Sequence, residues 1–234
     1  PVCTPSRFGC MTGLYPSRSK ANVFIDRMNE LGGQTSVEWN TFVTRKMPTL
    51  PRLLRDSGYR TGMVGKNHVI QVLGLEKPEW LAANDDPKML EILAKNHKKQ
   101  DAALLEAGFD YAESVYYDNP DFIGVKALAC HNLDWICKGA LDFLDQKSEK
   151  PFFLYCAVTI PHGPGEESRS WNADPLITAD GMLKEPLNVM PARSTIPERL
   201  KAAGIKDHGG RANLLWLDDM VGAIVKKLKE TGQY

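Results

Sequence analysis

Five side chains occupy positions from which chemistry can be done. Cys3 opens the run Cys3-Thr4-Pro5-Ser6-Arg7-Phe8-Gly9-Cys10-Met11-Thr12-Gly13. If that run is helical, Arg7 lies one turn beyond Cys3 on the same face and offers a rigid fork of donors. Taken alone, Arg7 reads as a surface arginine. Lys66 and His68 fall in Gly65-Lys66-Asn67-His68, directly after a brief apolar and β-branched run at 59–64. Polar groups just past a strand sit where α/β proteins usually hold ligands, although singly these two are ordinary loop residues. His162 follows the apolar run 152–160, in Pro161-His162-Gly163-Pro164. An imidazole with an unperturbed pKa of ~6.5 suits proton transfer to a leaving oxygen near neutrality; the alternative is a loop-capping histidine. His97, His131 and His208 have no such context and read as surface or structural residues.

The elements that must position these groups follow from periodicity. Leu50, Leu53 and Leu54 recur at helical spacing within 49–57, and Gly58 stands where a helix-ending glycine is expected. That short helix feeds a strand at 59–64. Residues 22–44 show no sustained period and read as loop. The charged stretch 77–112 is helix-prone around 89–105, while 111–122 is aromatic and acidic with loop character; together they read as an insertion over the sheet. Leu128, Ile136, Leu141, Phe143 and Leu144 predict a helix within 124–144. The strand 152–160 is apolar nearly throughout, as a strand buried on both faces of a parallel sheet would be. Residues 166–210, rich in Pro, Gly and polar groups, are too long for a simple connection and read as a rim or substrate loop. Leu214, Leu217, Val221, Ile224, Val225 and Leu228 mark an amphipathic helix closed by Gly232. Such a helix normally feeds another parallel strand, and none remains, so the chain reads as incomplete. The alternation of helices and strands predicts a single α/β fold without internal repeats.

With 43% hydrophobic and 25% charged residues over 234 positions, the chain has the make-up of a globular protein with a real core. Its 29 basic and 29 acidic side chains cancel, so no global field draws it to nucleic acid or an anionic membrane. No run approaches the ~20 apolar residues of a membrane span, and the first residues lack the pattern of a secretory signal. The five cysteines, Cys3, Cys10, Cys130, Cys137 and Cys156, are too few for a disulfide scaffold and too widely spaced for zinc knuckles. Cys130, Cys137 and Cys156 read as buried thiols.

The run from Cys3 to Gly13 resembles the sulfatase signature C-x-P-S-R followed by T-G, with Met11 a volume-conserving replacement of the usual leucine. Gly65-Lys66-Asn67-His68 resembles the family's G-K-x-H segment, in which tryptophan often stands where Asn67 does. Pro151-Phe152-Phe153-Leu154, leading to Pro161-His162-Gly163-Pro164, resembles its P-F-F-L strand and P-H-x-P turn. Trp216-Leu217-Asp218-Asp219-Met220-Val221-Gly222 is similar to its W-L-D-D-x-V-G segment. Spread over most of the chain, these matches make it similar to a middle segment of a sulfatase. The resemblance implies an alkaline-phosphatase-like α/β fold, a mostly parallel sheet flanked by helices that lacks the family's first and later strands. Residues 1–234 would form one partial catalytic domain.

The resemblance also implies the chemistry. Cys3 is the position converted by a formylglycine-generating or equivalent maturation enzyme to formylglycine, whose hydrated aldehyde supplies a hydroxyl nucleophile. A serine or thiolate attacking sulfur would leave a stable ester needing a second difficult attack by water. A geminal diol avoids that, because deprotonating its second hydroxyl releases sulfate. By resemblance Arg7 and Lys66 contact the sulfate and the nucleophile, His68 takes the diol's proton, and His162 donates to the leaving oxygen. A calcium ion is implied too, with Cys3 as formylglycine among its ligands; the acidic ligands and a further lysine would lie before Pro1 or after Tyr234. Asp218 and Asp219, adjacent on a helix and so pointing apart, take no metal role and read as solvated or capping residues. Substrates would be sulfated small molecules or sulfated glycans. Two other functions stay open: a phosphodiesterase or phosphonate monoester hydrolase of the same superfamily, and a non-catalytic fragment that binds a partner. The sequence itself leaves localisation unknown, while the family resemblance points to a periplasmic or secreted protein.

Overall fold

The computed structural model describes residues 2–206 and 210–234, so His208 lies outside the described residues. The chain opens with α1 (Cys3–Thr12) and α2 (Asn22–Glu30), then reaches α3 (Leu50–Asp56). Thr49 caps α3 by accepting from the Arg52 N–H, and Pro51 sits in the first turn, where a missing N–H costs nothing. Gly58, at φ 92°, turns the chain into β1 (Arg60–Lys66). A crossover carrying α4 (Pro87–Ala107) leads to β2 (Tyr111–Tyr116), and α5 (Leu133–Asp145) leads on to β3 (Phe152–Ala157). Side chains start both helices: Asp86 accepts from the Met89 N–H at 2.7 Å and Asn132 from the Trp135 N–H at 3.1 Å. After a hairpin of β4 (Ile177–Thr178) and β5 (Gly181–Met182) come α6 (Ile196–Ala202) and α7 (Arg211–Glu230).

The three main strands are parallel in the order β2-β1-β3, which puts β1 in the centre. Alternate residues along β1 serve opposite layers. Met63 packs with Phe8 and Met11 of α1 and Leu104 of α4 on one face. Val64 packs with Ile136 and Ala140 of α5 and Trp216 and Met220 of α7 on the other. Helices thus cover both faces of a parallel sheet, the α/β class expected from the sequence, and all three strands end at the same edge.

Several expectations need correction. Residues 22–30 form α2 rather than loop; one buried aromatic, Phe24, anchors it, too little apolar periodicity for the sequence to reveal. The stretch 77–122 is not an insertion: α4 and β2 are the crossover and partner strand of β1. The helix expected across 124–144 begins only at Leu133, where Asn132 caps it, and residues 126–128 form a single 3₁₀ turn. β3 is half-buried rather than enclosed, because it lies at the edge of this sheet, and Cys156 on it is exposed. Cys130 and Cys137 are buried, and burial pushes the Cys137 thiol up to about 12. The segment 166–210 carries β4, β5 and α6, and its Trp171, Ile196 and Leu200 belong to the core. On α7 the deepest residues are Ala212, Trp216 and Met220, whereas Leu214 and Val221 are exposed. Asp219 is no solvated residue: Arg199 grips both its oxygens at 2.7 and 2.6 Å.

Candidate active site

The expected site residues converge where β1 and β2 end. Cys3 is the first residue of α1, in the turn where helix N–H groups lack intrahelical acceptors and favour negative charge. Phe8 and Met11, fully buried, hold α1 against the sheet and so fix Cys3. Its Sγ lies 3.0 Å from His68 Nδ1 and 3.8 Å from Lys66 Nζ. Arg7 does lie one turn further along the helix. Its Nη1 donates to the Lys66 carbonyl at 2.7 Å and to the Tyr155 hydroxyl at 3.3 Å. Among the described residues nothing takes its remaining donors, which leaves them for an anion.

Lys66 is the last residue of β1 rather than a loop residue beyond it. Its side chain is 0% exposed, so its ammonium needs compensating partners. It has them: Asp118 Oδ1 at 3.0 Å and Asn119 Oδ1 at 2.5 Å. Gly65 before it has φ 84°, and a Cβ there would stand 2.0 Å from the Ala157 carbonyl oxygen, so only glycine lets β1 and β3 close at this point. Asn67 turns away from the site. Its Oδ1 accepts from the N–H groups of Val69 and Ile70 and its Nδ2 donates to the Ile70 carbonyl, so it builds the turn instead of facing a substrate.

That turn, together with an N–H bond from His68 to the Tyr117 carbonyl at 2.8 Å, holds His68 at φ 45°. A left-handed backbone on a non-glycine residue is strained and is sustained by such surroundings. His68 Nε2 lies 3.0 Å from Asp118 Oδ2 and 3.3 Å from Thr4 Oγ1. Burial pushes the His68 pKa down to about 4; Asp118 opposes this, and Lys66, Arg7 and His162 add to it. The imidazole is therefore neutral at pH 7. His162 stands further out, on an exposed turn between two cis peptides, Ile160–Pro161 and Gly163–Pro164. Partial burial, then Lys66 and Arg7, lower its pKa, while Asp118 raises it. The other two described histidines are structural. His131 bonds Thr159 Oγ1 and the Pro164 carbonyl, and His97 joins Asp101 and Asp180.

Sequence reasoning missed Asp118, Asn119 and Tyr155. The signal for the first two was present: Tyr111 to Tyr117 is rich in aromatics, and a polar pair follows it just as Lys66 and His68 follow β1.

Calcium takes about six to eight oxygen ligands. Here the Asp118 carboxylate is committed to Lys66 and His68, and the Asn119 carbonyl to Lys66. Among the described residues no group of three or more His, Cys, Asp or Glu could hold a metal. The described residues do not by themselves make a calcium cage. What they bring together is the Cys3 thiol beside a neutral imidazole and two cationic side chains, an arrangement able to hold an anion.

The family model for sulfatases matches residues 1–234, and the chain belongs to the sulfatase family. An uncharacterized sulfatase of Escherichia coli K12, YidJ, is 27% identical over 175 residues, covering 70% of this chain and 30% of its own length. The N-acetylgalactosamine-6-sulfatase of Canis lupus familiaris is 24% identical over 176 residues, 72% of this chain and 32% of its own. A second uncharacterized Escherichia coli sulfatase, YdeN, is 22% identical and aligns with all of this chain and 37% of its own. The chain thus spans about a third of the length of these relatives.

Proposed function

We propose that this protein is a sulfuric ester hydrolase that cleaves sulfate monoesters with a formylglycine derived from Cys3, and that residues 1–234 form part of one catalytic domain. The observation that carries this reading is the convergence on Cys3 of His68 Nδ1 at 3.0 Å and Lys66 Nζ at 3.8 Å, with Arg7 one helical turn away. Formylglycine at this position supplies a hydrated aldehyde whose hydroxyl attacks sulfur. Around it, Arg7 directs its free donors at the sulfate oxygens, and Lys66 adds positive charge beside position 3. Neutral His68 receives a proton from position 3 at Nδ1. His162, exposed and less perturbed, donates a proton to the leaving alcohol oxygen. A calcium ion, implied by family membership, would need oxygen ligands beyond those this chain brings to Cys3, so no step is routed through it.

The substrate class we favour is a sulfated glycan or a smaller sulfated molecule, since relatives include N-acetylgalactosamine-6-sulfatases of several mammals and of Bacteroides thetaiotaomicron. A maturation enzyme acting on Cys3 is the required partner. We place the protein in the periplasm or outside the cell, as the name of one relative, an extracellular sulfatase homolog, suggests. Among the described residues no helix is long and apolar enough to cross a membrane.

The test is the peptide mass of the Cys3 segment in full-length protein, paired with turnover of chromogenic sulfate esters and phosphodiesters. Aldehyde or its hydrate at Cys3, with sulfate ester cleavage, is the expected result. Turnover by protein whose Cys3 is wholly thiol would overturn the nucleophile. Modified protein that cleaves phosphodiesters and spares sulfate esters would overturn the substrate.

A further inference from the structure

Asp118 follows β2, and its side chain is only 8% exposed. Both its oxygens are used: Oδ1 lies 3.0 Å from Lys66 Nζ and Oδ2 lies 3.0 Å from His68 Nε2. Its own chain fixes it as well, because the Asn119 N–H donates to Oδ1 at 2.7 Å. An ionised carboxylate only accepts hydrogen bonds. The His68 nitrogen facing it must therefore carry a proton, which in a neutral ring leaves Nδ1, 3.0 Å from Cys3 Sγ, as the bare nitrogen. The other neighbour of Nε2, the Thr4 hydroxyl at 3.3 Å, can donate or accept and so decides nothing.

We infer that Asp118 is the positioning residue of the site, locking His68 in the Nε2–H tautomer so that Nδ1 faces position 3 as a proton acceptor. The same carboxylate clamps the Lys66 ammonium, so base and cation are held in register by one side chain. Strand pairing sustains this register: the Asn67 and His68 N–H groups donate to the Tyr116 and Tyr117 carbonyls, both at 2.8 Å, carrying the β1–β2 ladder up to the carboxylate. An acceptor on the far nitrogen of a histidine is a general means of fixing which nitrogen reacts. The inference rests on the proposed reaction for its catalytic meaning, but not for its test.

The tautomer can be read without turnover. In ¹⁵N-labelled full-length protein carrying the Cys3 thiol, two-bond proton–nitrogen correlations at neutral pH should show His68 protonated at Nε2 and bare at Nδ1. Asp118→Ala should give both tautomers in comparable amounts, and Thr4→Val should leave the wild-type pattern unchanged. If Asp118→Ala does not fold, the isosteric Asp118→Asn takes its place: Lys66 and the Asn119 N–H keep its oxygen at the Oδ1 position, so its NH2 faces Nε2 and the proton should move to Nδ1. In modified protein Asp118→Ala should lower kcat about 10²-fold. A wild-type proton on Nδ1, or a tautomer ratio indifferent to Asp118, overturns the inference. A protein that shows the tautomer shift yet cleaves no sulfate ester would sink the proposed function and leave the positioning role standing.

Discussion

Two of the described histidines contact aspartates, and their pKa values shift in opposite directions. His68 meets one carboxylate, Asp118, in a buried site that also holds Lys66 and Arg7, and its pKa falls to about 4. His97 meets two, Asp101 Oδ2 at 2.9 Å and Asp180 Oδ1 at 3.1 Å, and its pKa rises to about 10. A neighbouring carboxylate does not by itself set a histidine's charge. The balance of burial against all nearby charges does. Around His68 that balance yields a neutral imidazole beside Cys3. Around His97 it yields a ring that is cationic at neutral pH and ties α4, through Asp101, to the turn between β4 and β5, through Asp180. One arrangement leaves an uncharged ring at neutral pH, and the other is a charged staple.

The largest expected effect that would break this contrast is on turnover. In the modified full-length protein, His68→Ala should cost roughly 10²–10⁴-fold in kcat, the usual scale for losing a general base, while His97→Ala should change kcat by less than about twofold. Comparable losses would end the distinction between base and staple. Next comes Gly65→Ala, which forces a methyl onto the Ala157 carbonyl at a left-handed position. We expect roughly 2–4 kcal/mol of destabilisation by urea unfolding, together with loss of the His68 site, whose strand end it displaces; an unchanged midpoint would refute the close approach of β1 and β3.

A pH experiment sharpens the staple. Because folding raises the His97 pKa, its stabilisation is complete below the unfolded value of ~6.5 and fades as pH rises through about 10. Discounted for solvent screening, it amounts to ~1 kcal/mol. The gap in urea midpoint between wild type and His97→Gln should therefore shrink from pH 6 to pH 10, and a constant gap would disprove the linkage. Smallest of all, Asp180→Asn should lower the His97 pKa less than Asp101→Asn, in an NMR titration of the ring, since Asp101 lies closer, at 2.9 against 3.1 Å, and is less exposed. The reverse order would show that the exposed partner dominates.

The uneven legibility of the sequence follows from the same contrast. Cys3 and Arg7 were readable because four residues on a helix bring them to one face, and Lys66, His68 and His162 because each terminates a strand or follows one. α3, β1, α4 and α7 declared themselves by period and by flanking Thr, Gly and Pro. β2 did not, since Tyr-Ala-Glu-Ser-Val-Tyr lacks β-branched density and Ser114, at φ 54°, breaks its alternation. Missing that strand hid Asp118 and Asn119, which act only from its end. Of the His97 staple, Asp101 lies one helical turn away and is legible, but Asp180 arrives from a turn far along the chain, where no local pattern announces it.

The placement of Cys3 also has a meaning in time. Thr4, Phe8 and Met11 are fully buried once α1 lies on the sheet, and Cys3 is then pinned beside His68. The sheet face they cover is completed late, because β1 must first find β2 and then the more distant β3, whose Tyr155 meets Arg7. Until then Cys3 rides on a segment the sheet does not yet hold; afterwards it is half-buried beside His68. Folding therefore acts as a clock on the thiol, and whatever is to alter Cys3 has its widest opportunity before the helix docks.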